Sequence, residues 1–268
     1  MNFKNIFLIT DADGTLLTDD KRILDIDKKA IREFTECGGL FTIATGRGVD
    51  LARTVIDELE INIPAVIFNG AAVYDYAQNR FLWQSVLPDT AESYMRLFTE
   101  KFPSAGVEIL RGDEVFVTST NRWEEDHIAY GKFKPVRCDF DEVPRDKWIK
   151  TLLVDEPENI DEIVEFAREL NLTDVHLVRS GPVFFEVLPR GANKGTGFKR
   201  LLEIAGINDR YIVAAGDFMN DIEMLEMADL GIAVANAEQC VKDIADLIVC
   251  DNNSGAIAEI IEHLKKIK

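Results

Sequence analysis

The sequence predicts the α/β class: a core with a doubly wound parallel sheet, interrupted by an inserted α+β domain. In the first and last thirds of the chain, apolar runs alternate with helical stretches of about ten residues, which is typical of βαβ units. In the middle of the chain, short strand-like runs often follow one another directly, as they do in antiparallel sheets. These two patterns together indicate two domains.

The predicted elements of the first third begin with residues 6–9. This uncharged run has β-branched and aromatic members and is typical of a strand that is buried on both faces. Apolar side chains then recur at helical spacing over residues 25–37, and Gly38 and Gly39 end this helix. The remaining predictions here are a strand at 40–44, a helix at 49–59 and a strand at 65–68.

The last third repeats the alternation. Its predicted elements are a helix at 194–205, a strand at 211–215, a helix at 221–227, strands at 230–234 and 247–250, and a helix at 256–264. For the middle we predict strands at 81–86, 107–110, 115–118, 148–154, 175–178 and 183–188, with helices at 90–102 and 160–170. We therefore expect a Rossmann-like core of residues 1–82 and 190–268, an inserted domain of residues 83–189, and flexible crossings near residues 79–80 and 189–191.

Composition limits the partners that the chain can have. Its 268 residues are 47% hydrophobic, and the net charge of −18 should repel a nucleic-acid backbone. No stretch approaches the ~18 apolar residues of a membrane span, and charged residues begin too early for a signal peptide. The four cysteines are far apart in the sequence, which is typical of reduced thiols. We expect a cytoplasmic protein without nucleic-acid or membrane partners.

Two carboxylates, Asp11 and Asp13, directly follow the first predicted strand. In extended chain, side chains two residues apart project to the same side, and ligands bind at the carboxyl ends of strands in open α/β sheets. A solvated Asp-Gly turn is the alternative, and both interpretations stay open on these residues alone. An EF-hand is excluded because the positions that require Gly and Glu hold Leu16 and Arg22.

Three further segments carry polar residues at strand ends or helix starts: Thr45–Gly46, Lys194, and the run from Gly216 to Asp221. Each taken alone has a structural explanation, as a helix cap, an exposed lysine or a solvated helix start. Together they fit one phosphoryl group, because a carboxylate can attack phosphorus, a second can move protons, and hydroxyl, backbone N–H and lysine groups bind oxygen. All of them can meet at one edge of the predicted sheet.

A cation is expected at this edge. Asp11, Asp217 and Asp221 would converge on an anionic substrate, and two like charges ~4 Å apart repel by about 4 kcal/mol at an effective dielectric constant of ~20. Lys194 alone cannot offset several such pairs. Because the available ligands are oxygen atoms, Mg²⁺ is the cofactor that this donor set predicts.

The four segments Asp11–Leu17, Ala44–Arg47, Lys194–Gly195 and Gly216–Asp221 resemble the ordered motifs of the haloacid dehalogenase-like hydrolases. The resemblance covers essentially the whole chain and is greatest to the Cof-like sugar phosphatases, which have a large α/β cap inserted between the second and third motifs. A family segment that usually contains glycine has Ala235 here, a difference that touches no proposed catalytic group.

The resemblance also implies roles for individual residues. Asp11 would be the nucleophile that becomes an aspartyl-phosphate, and Asp13 would be the general acid and base. The groups that would hold the phosphoryl group are Thr45, the backbone of Gly46, Lys194 and Asn220. The Mg²⁺ ligands would be the Asp11 carboxylate, the Asp13 main-chain carbonyl and Asp217, with Asp221 acting directly or through water. The loop Asn69–Gly70 would face the leaving group.

The expected function is a Mg²⁺-dependent phosphatase that hydrolyses small phosphorylated metabolites, above all sugar phosphates. A phosphotransferase or phosphomutase on the same scaffold is the alternative, and Asp13, which can activate water, favours hydrolysis. A non-catalytic metabolite-binding regulator would have lost Asp11, Asp13 or Asp217, all of which are present. Candidate contacts to the leaving group in the inserted domain are Arg122, Trp123, His127, Tyr130 and Arg179.

Overall fold

The structure is a computed structural model that describes residues 2–59, 61–207 and 209–266. Its strands are β1 (Ile6–Thr10), β2 (Leu40–Ile43), β3 (Ala65–Ile67), β4 (Ala72–Asp75), β5 (Arg80–Gln84), β6 (Gly106–Arg111), β7 (Glu114–Ser119), β8 (Val136–Arg137), β9 (Trp148–Val154), β10 (Val175–Gly181), β11 (Phe184–Pro189), β12 (Tyr211–Gly216), β13 (Leu230–Val234) and β14 (Leu247–Val249). Its α-helices are α1 (Asp25–Glu36), α2 (Val49–Ile56), α3 (Thr90–Lys101), α4 (Arg122–Gly131), α5 (Pro157–Leu170), α6 (Lys194–Ala205), α7 (Ile222–Glu226), α8 (Gln239–Ile244) and α9 (Ala256–Leu264).

The chain forms two compact units. The first consists of Met1–Arg47, Ala52–Trp83 and Asn193–Lys268, and the second consists of Gly48–Leu51 and Gln84–Ala192. Apart from the short segment Gly48–Leu51, the second unit is therefore one continuous insertion into the first.

The first unit is built on a five-stranded parallel sheet in the order β14-β13-β12-β1-β2. The chain moves from β1 to β2 in one direction across the sheet and from β12 through β13 to β14 in the other. Because crossover connections are right-handed, these opposite directions place the connecting helices on opposite faces. All five residues of β1 are buried, as expected for a strand covered on both sides. The predicted α/β fold class is confirmed.

A small sheet in the order β3-β4-β5 extends the first unit, and β3 is joined to the end of β2 by a parallel bridge between Ala44 and Val66. The sequence missed β4 and predicted a strand at 81–86, where the structure has β5 from Arg80 to Gln84. The expected crossing at residues 79–80 is instead a turn between β4 and β5. Asn79 adopts φ +51° there, and its side-chain oxygen accepts hydrogen bonds from Arg53 and Tyr74.

The second unit contains a six-stranded sheet in the order β10-β11-β9-β6-β7-β8, antiparallel except for the β7–β8 pair. Helices α3 and α5 contribute Met95, Phe98, Ile160 and Ile163 to a buried core with side chains of the sheet, such as Leu153. The predicted antiparallel character and both predicted helices are therefore confirmed. The sequence missed α4, because its apolar side chains are interspersed with charged ones and form no clear stripe.

None of the helices in the described part of the chain is both long and apolar enough to cross a membrane.

Candidate active site

The sheet places the first carboxylate at its carboxyl edge. Asp11 directly follows β1, and its N–H donates to the Ala215 carbonyl of β12 at 2.9 Å, so strand pairing continues up to this residue. Its side chain is buried. Because β12 runs parallel to β1 and ends at Gly216, Asp217 follows at the same edge.

Lys194 lies between two carboxylates at this edge. Its Nζ donates to Oδ1 of Asp11 at 2.6 Å and to Oδ1 of Asp221 at 2.5 Å, and only 1% of the lysine side chain is exposed. Carboxylate oxygens of Asp11, Asp217 and Asp221 all lie within 4.8 Å of one another. One buried ammonium group thus pairs with two acidic side chains, and a third carboxylate lies beside them.

The excess of negative charge affects the pKa values of these groups. Burial, reinforced by Asp221 and Asp217, raises the pKa of Asp11 well above its usual range, although Lys194 opposes the shift. Burial and the neighbouring Asp221 raise the pKa of Asp217 to about 6. Burial disfavours the ammonium form of Lys194, but the carboxylates of Asp11 and Asp221 prevail and raise its pKa above the usual range. One lysine does not neutralise this site.

These residues fit a divalent cation. The group Asp11, Asp217 and Asp221 offers oxygen ligands alone, which suits a hard cation such as Mg²⁺, and the oxygens are close enough to share one ion. The pKa values of Asp11 and Asp217 are raised first by burial and then by neighbouring carboxylates, and a bound cation would oppose both effects.

Hydrogen bonds and close packing hold the two later aspartates. Oδ2 of Asp221 accepts the N–H groups of Asp217 and Phe218, both at 3.0 Å, so both oxygens of Asp221 are engaged once Lys194 is counted. Thr15 Oγ1 donates to Oδ1 of Asp217 at 2.7 Å. Gly14 has φ +83°, and a Cβ at this position would lie 2.4 Å from Oδ2 of Asp217. Only glycine allows this approach.

Thr45, Gly46 and Asn220 meet at a loop that contains Asn69. The Asn69 N–H donates to the Thr45 carbonyl at 3.0 Å, and its side-chain oxygen accepts Asn220 Nδ2 at 3.0 Å. A Cβ on Gly46 would lie 2.9 Å from Asn69 Nδ2. Phe68 and Asn69 have φ of +53° and +52°, a region that non-glycine residues rarely adopt. The loop is held in a strained conformation, as is common at functional sites.

Asp13 is held by two cations. Arg47 donates from Nε to Oδ2 at 2.7 Å and from Nη2 to Oδ1 at 2.8 Å, and Lys21 Nζ donates to Oδ1 at 2.8 Å. Burial disfavours the charged carboxylate, but the hydrogen bonds and charge of Arg47, aided by Lys21, prevail and lower the pKa of Asp13 far below its usual range.

The structure thus brings most of the sequence-predicted residues into two groups, one around Lys194 and one around Asn69, while Asp13 is held by Arg47 and Lys21. Sequence reasoning missed the contacts of Thr15, Lys21 and Arg47. Arg47 had a signal, because it directly follows the Thr-Gly pair at the end of a strand. Thr15 also had a signal, because it lies within the first motif segment Asp11–Leu17, whereas nothing in the sequence marks Lys21 in this way.

The candidate leaving-group contacts all lie in the second unit: Arg122, Trp123, His127, Tyr130 and Arg179. Several have partners within that unit. The guanidinium carbon of Arg122 lies 4.7 Å from the centroid of the Trp123 ring, and Arg179 pairs with Asp161. These contacts account for the positions of Arg122 and Arg179 without a ligand.

Comparison with known sequences identifies similar proteins over nearly the whole chain. The family model of haloacid dehalogenase-like hydrolases matches residues 8–261. The chain is 29% identical over 255 residues to the 5-amino-6-(5-phospho-D-ribitylamino)uracil phosphatase YcsE of Bacillus subtilis, covering 94% of this chain and 93% of the relative.

Solved structures share the fold. A haloacid dehalogenase-like hydrolase from Bacteroides thetaiotaomicron superimposes with a TM-score of 0.85 at 22% identity, over 97% of this chain and 100% of that one. The subclass IIB sugar phosphatase BT4131 superimposes with a TM-score of 0.81 at 21% identity, over 97% and 98% of the two chains.

Proposed function

The chain belongs to the family of haloacid dehalogenase-like hydrolases, and from this premise we propose that it is a Mg²⁺-dependent phosphatase of small phosphorylated metabolites. The enzyme is a phosphoric monoester hydrolase, the class to which its named relative YcsE belongs. Beyond this class, we propose Mg²⁺ as the cofactor, an aspartyl-phosphate as the intermediate and sugar phosphates as the substrates.

One observation carries the proposal: buried Lys194 contacts both Asp11 and Asp221, and Asp217 lies within the same group of carboxylates. A purely structural core has little reason to bury two acidic groups against one cation with a third carboxylate beside them, because such burial costs stability. A site that must hold a phosphoryl group against a nucleophilic carboxylate requires both signs of charge at close range.

The proposed reaction has two steps. An oxygen of Asp11 attacks phosphorus, the bond from phosphorus to the leaving oxygen breaks, and Asp13 delivers a proton to that oxygen. Asp13 then takes a proton from water, and the water oxygen attacks the phosphorus of the aspartyl-phosphate. This second attack breaks the bond to Asp11 and releases inorganic phosphate. Thr45, the backbone of Gly46, Lys194 and Asn220 bind the phosphoryl oxygens.

The metal ligands in this proposal are Asp11, the main-chain carbonyl of Asp13, and Asp217. When bound there, Mg²⁺ supplies positive charge that reduces the repulsion between these carboxylates and the anionic substrate. Asp221 uses both of its oxygens for Lys194 and for backbone N–H groups, which favours a role through water rather than as a direct ligand.

Sugar and sugar-alcohol phosphates are the substrates that we propose. The name of the relative YcsE specifies a phosphate ester on a ribityl chain, which supports a polyhydroxylated leaving group. A panel of hexose phosphates, erythrose 4-phosphate, pyridoxal phosphate and flavin mononucleotide, compared by kcat/KM, tests this class. Flavin mononucleotide carries its phosphate on a ribityl chain and therefore belongs to the proposed class. A preference for pyridoxal phosphate over every sugar and sugar-alcohol phosphate would contradict the proposed substrate class.

The nucleophile is tested with Asp11→Asn. We expect hydrolysis of p-nitrophenyl phosphate to fall by about 10³-fold or more, because the amide cannot form the acyl phosphate. The thermal unfolding midpoint should not fall, since the change removes one of several buried like charges. The exposed Asp57→Asn serves as the matched control. Turnover at the wild-type rate in Asp11→Asn would end the assignment.

The metal is tested by removing it. EDTA should abolish hydrolysis and Mg²⁺ should restore it, and Asp217→Asn should raise the Mg²⁺ concentration for half-maximal activity by about tenfold or more. Full activity in the presence of EDTA would contradict the charge argument.

A further inference from the structure

The contact between Arg47 and Asp13 has a geometry that a simple charge pair does not require. The guanidinium donates two parallel hydrogen bonds, Nε to Oδ2 at 2.7 Å and Nη2 to Oδ1 at 2.8 Å. Such a pair fixes both the plane and the rotation of the carboxyl group, whereas a lysine makes a point contact that leaves the rotation open. The orientation of Asp13 therefore depends on Arg47.

Arg47 is itself held firmly. Only 5% of its side chain is exposed, and Nη1 donates to Thr54 Oγ1 at 3.3 Å. Its backbone N–H donates to Thr45 Oγ1 at 3.2 Å, and its carbonyl accepts the Phe68 N–H at 3.0 Å. Arg47 thus links Asp13 to the loop after β2, which carries the proposed phosphate-binding residues Thr45 and Gly46. It also links Asp13 to the loop after β3, which carries Asn69.

The contacts also distinguish the two oxygens of Asp13. Oδ1 accepts from both Arg47 and Lys21, so its two lone pairs are engaged, whereas Oδ2 accepts one hydrogen bond from Arg47. One lone pair of Oδ2 is left to face a reacting group. The side chain of Lys21 is 40% exposed, so its single contact is the more readily exchanged of the two.

We propose that Arg47 is a positioning residue for the reaction: it orients the Asp13 carboxyl so that Oδ2 exchanges the proton with the leaving oxygen and then with water. This inference rests on the proposed function, because it assumes that Asp13 is the general acid and base. Arg47 touches neither the substrate nor the reacting atoms in this proposal.

The test compares two leaving groups in Arg47→Lys. Phenyl phosphate releases a phenol of pKa ~10, which needs a proton, whereas p-nitrophenyl phosphate releases a much weaker base that needs little help. Because kcat/KM reports the steps up to departure of the leaving group, we expect it to fall about tenfold or more for phenyl phosphate and about threefold or less for p-nitrophenyl phosphate. The kcat for p-nitrophenyl phosphate should also fall if attack by water limits turnover.

Arg210→Lys is the matched control. Arg210 donates to the carbonyls of Ile6 and Gly38, at the opposite end of β1 from Asp13. Arg210→Lys should therefore change kcat/KM for the two esters by the same factor. The Asp13→Asn background provides a second control. In that background Arg47→Lys should not change the ratio of the two kcat/KM values further, since the carboxylic acid that it orients is absent.

The outcomes are distinct. Wild-type protein that hydrolyses neither ester would overturn the proposed function and this inference with it. Wild-type activity with equal losses for both esters in Arg47→Lys would overturn the inference alone and assign Arg47 to stability. Arg47→Gln is measured in parallel, and loss of the folded state in both variants would likewise overturn the inference.

Discussion

At the scale of single residues, Lys194 determines the charge balance of the site. Its ammonium contacts two carboxylates that lie 183 and 27 residues away in the sequence. Buried ion pairs contribute little net stability when complete, but removal of one partner leaves an uncompensated buried charge. Lys194 is therefore important for stability as well as for phosphate binding.

Lys194→Met tests this double role. The variant keeps the apolar volume but leaves Asp11 and Asp221 without a cation, so we expect a loss of about 3–5 kcal/mol in the free energy of unfolding. Turnover should fall by about 10²-fold or more, because a charge that binds the phosphoryl group is missing.

Thermal unfolding and kcat with p-nitrophenyl phosphate measure these effects. Lys199→Met, an exposed change on the same helix, is the matched control. Mg²⁺ should recover part of the lost stability in Lys194→Met, since it also neutralises the carboxylates. Unchanged unfolding and unchanged turnover would rule out both roles.

At the scale of elements, a side chain of α1 caps the start of α9. Asp27 is buried, and its Oδ1 accepts the Ala258 N–H in the first turn of α9 at 2.7 Å. The residue before α9 is Gly255, which has no side chain for this purpose. Burial raises the pKa of Asp27 to about 6, although the backbone N–H groups of Ala258 and Ile257 oppose the shift.

This shift predicts a pH dependence of stability. Because the pKa is about 6 in the folded state against 3.8 as the reference for the unfolded chain, the folded protein binds more protons between these values. The contribution of Asp27 is therefore fully present below pH 3.8 and is lost as the pH rises through 6. Asp27→Asn keeps an acceptor oxygen without the charge and should remove this loss.

The measurement is the unfolding midpoint of wild type and Asp27→Asn across this pH range. The unfolding midpoint of Asp27→Asn should increase relative to that of wild type as the pH rises. A difference between the two midpoints that stays constant with pH would contradict the prediction. Asp27→Ala removes the acceptor and should cost about 1 kcal/mol at low pH, where the wild-type carboxyl is protonated, and less as the pH rises. Asp25→Ala, at an exposed position two residues earlier on α1, is the control.

Some secondary-structure elements could be predicted from the sequence and others could not. Strands β1 and β12 and helices α1 and α6 were predictable, because buried strands and amphipathic helices carry a local periodicity. Helix α4 and strand β4 were not, since their boundaries depend on packing partners outside the segment.

At the scale of the whole molecule, we propose that the inserted residues form a domain of their own. Their apolar core is composed of side chains from residues 87–187, contributed by the six-stranded sheet, its connecting loops and helices α3 and α5. A segment of about 100 residues with such a core is large enough to fold alone.

A fragment of residues 84–192 tests this proposal. We expect a cooperative thermal transition and a mixed helix and strand spectrum by circular dichroism, because the buried side chains find their partners within the fragment. It should not hydrolyse p-nitrophenyl phosphate, since Asp11 and Lys194 are absent. A spectrum typical of an unfolded chain would show that this unit depends on the rest of the protein.

The sequence by itself determined the α/β class, the order of the motifs and the strand ends at which Asp11, Thr45 and Asp217 lie. Each of these follows from periodicity and spacing along the chain, which local physical chemistry controls. Only the tertiary structure decided which charges meet: Lys194 with Asp11 and Asp221, and Arg47 with Asp13 across 34 residues. Such contacts depend on how strands and loops are arranged in space, and no local pattern of residues encodes that arrangement.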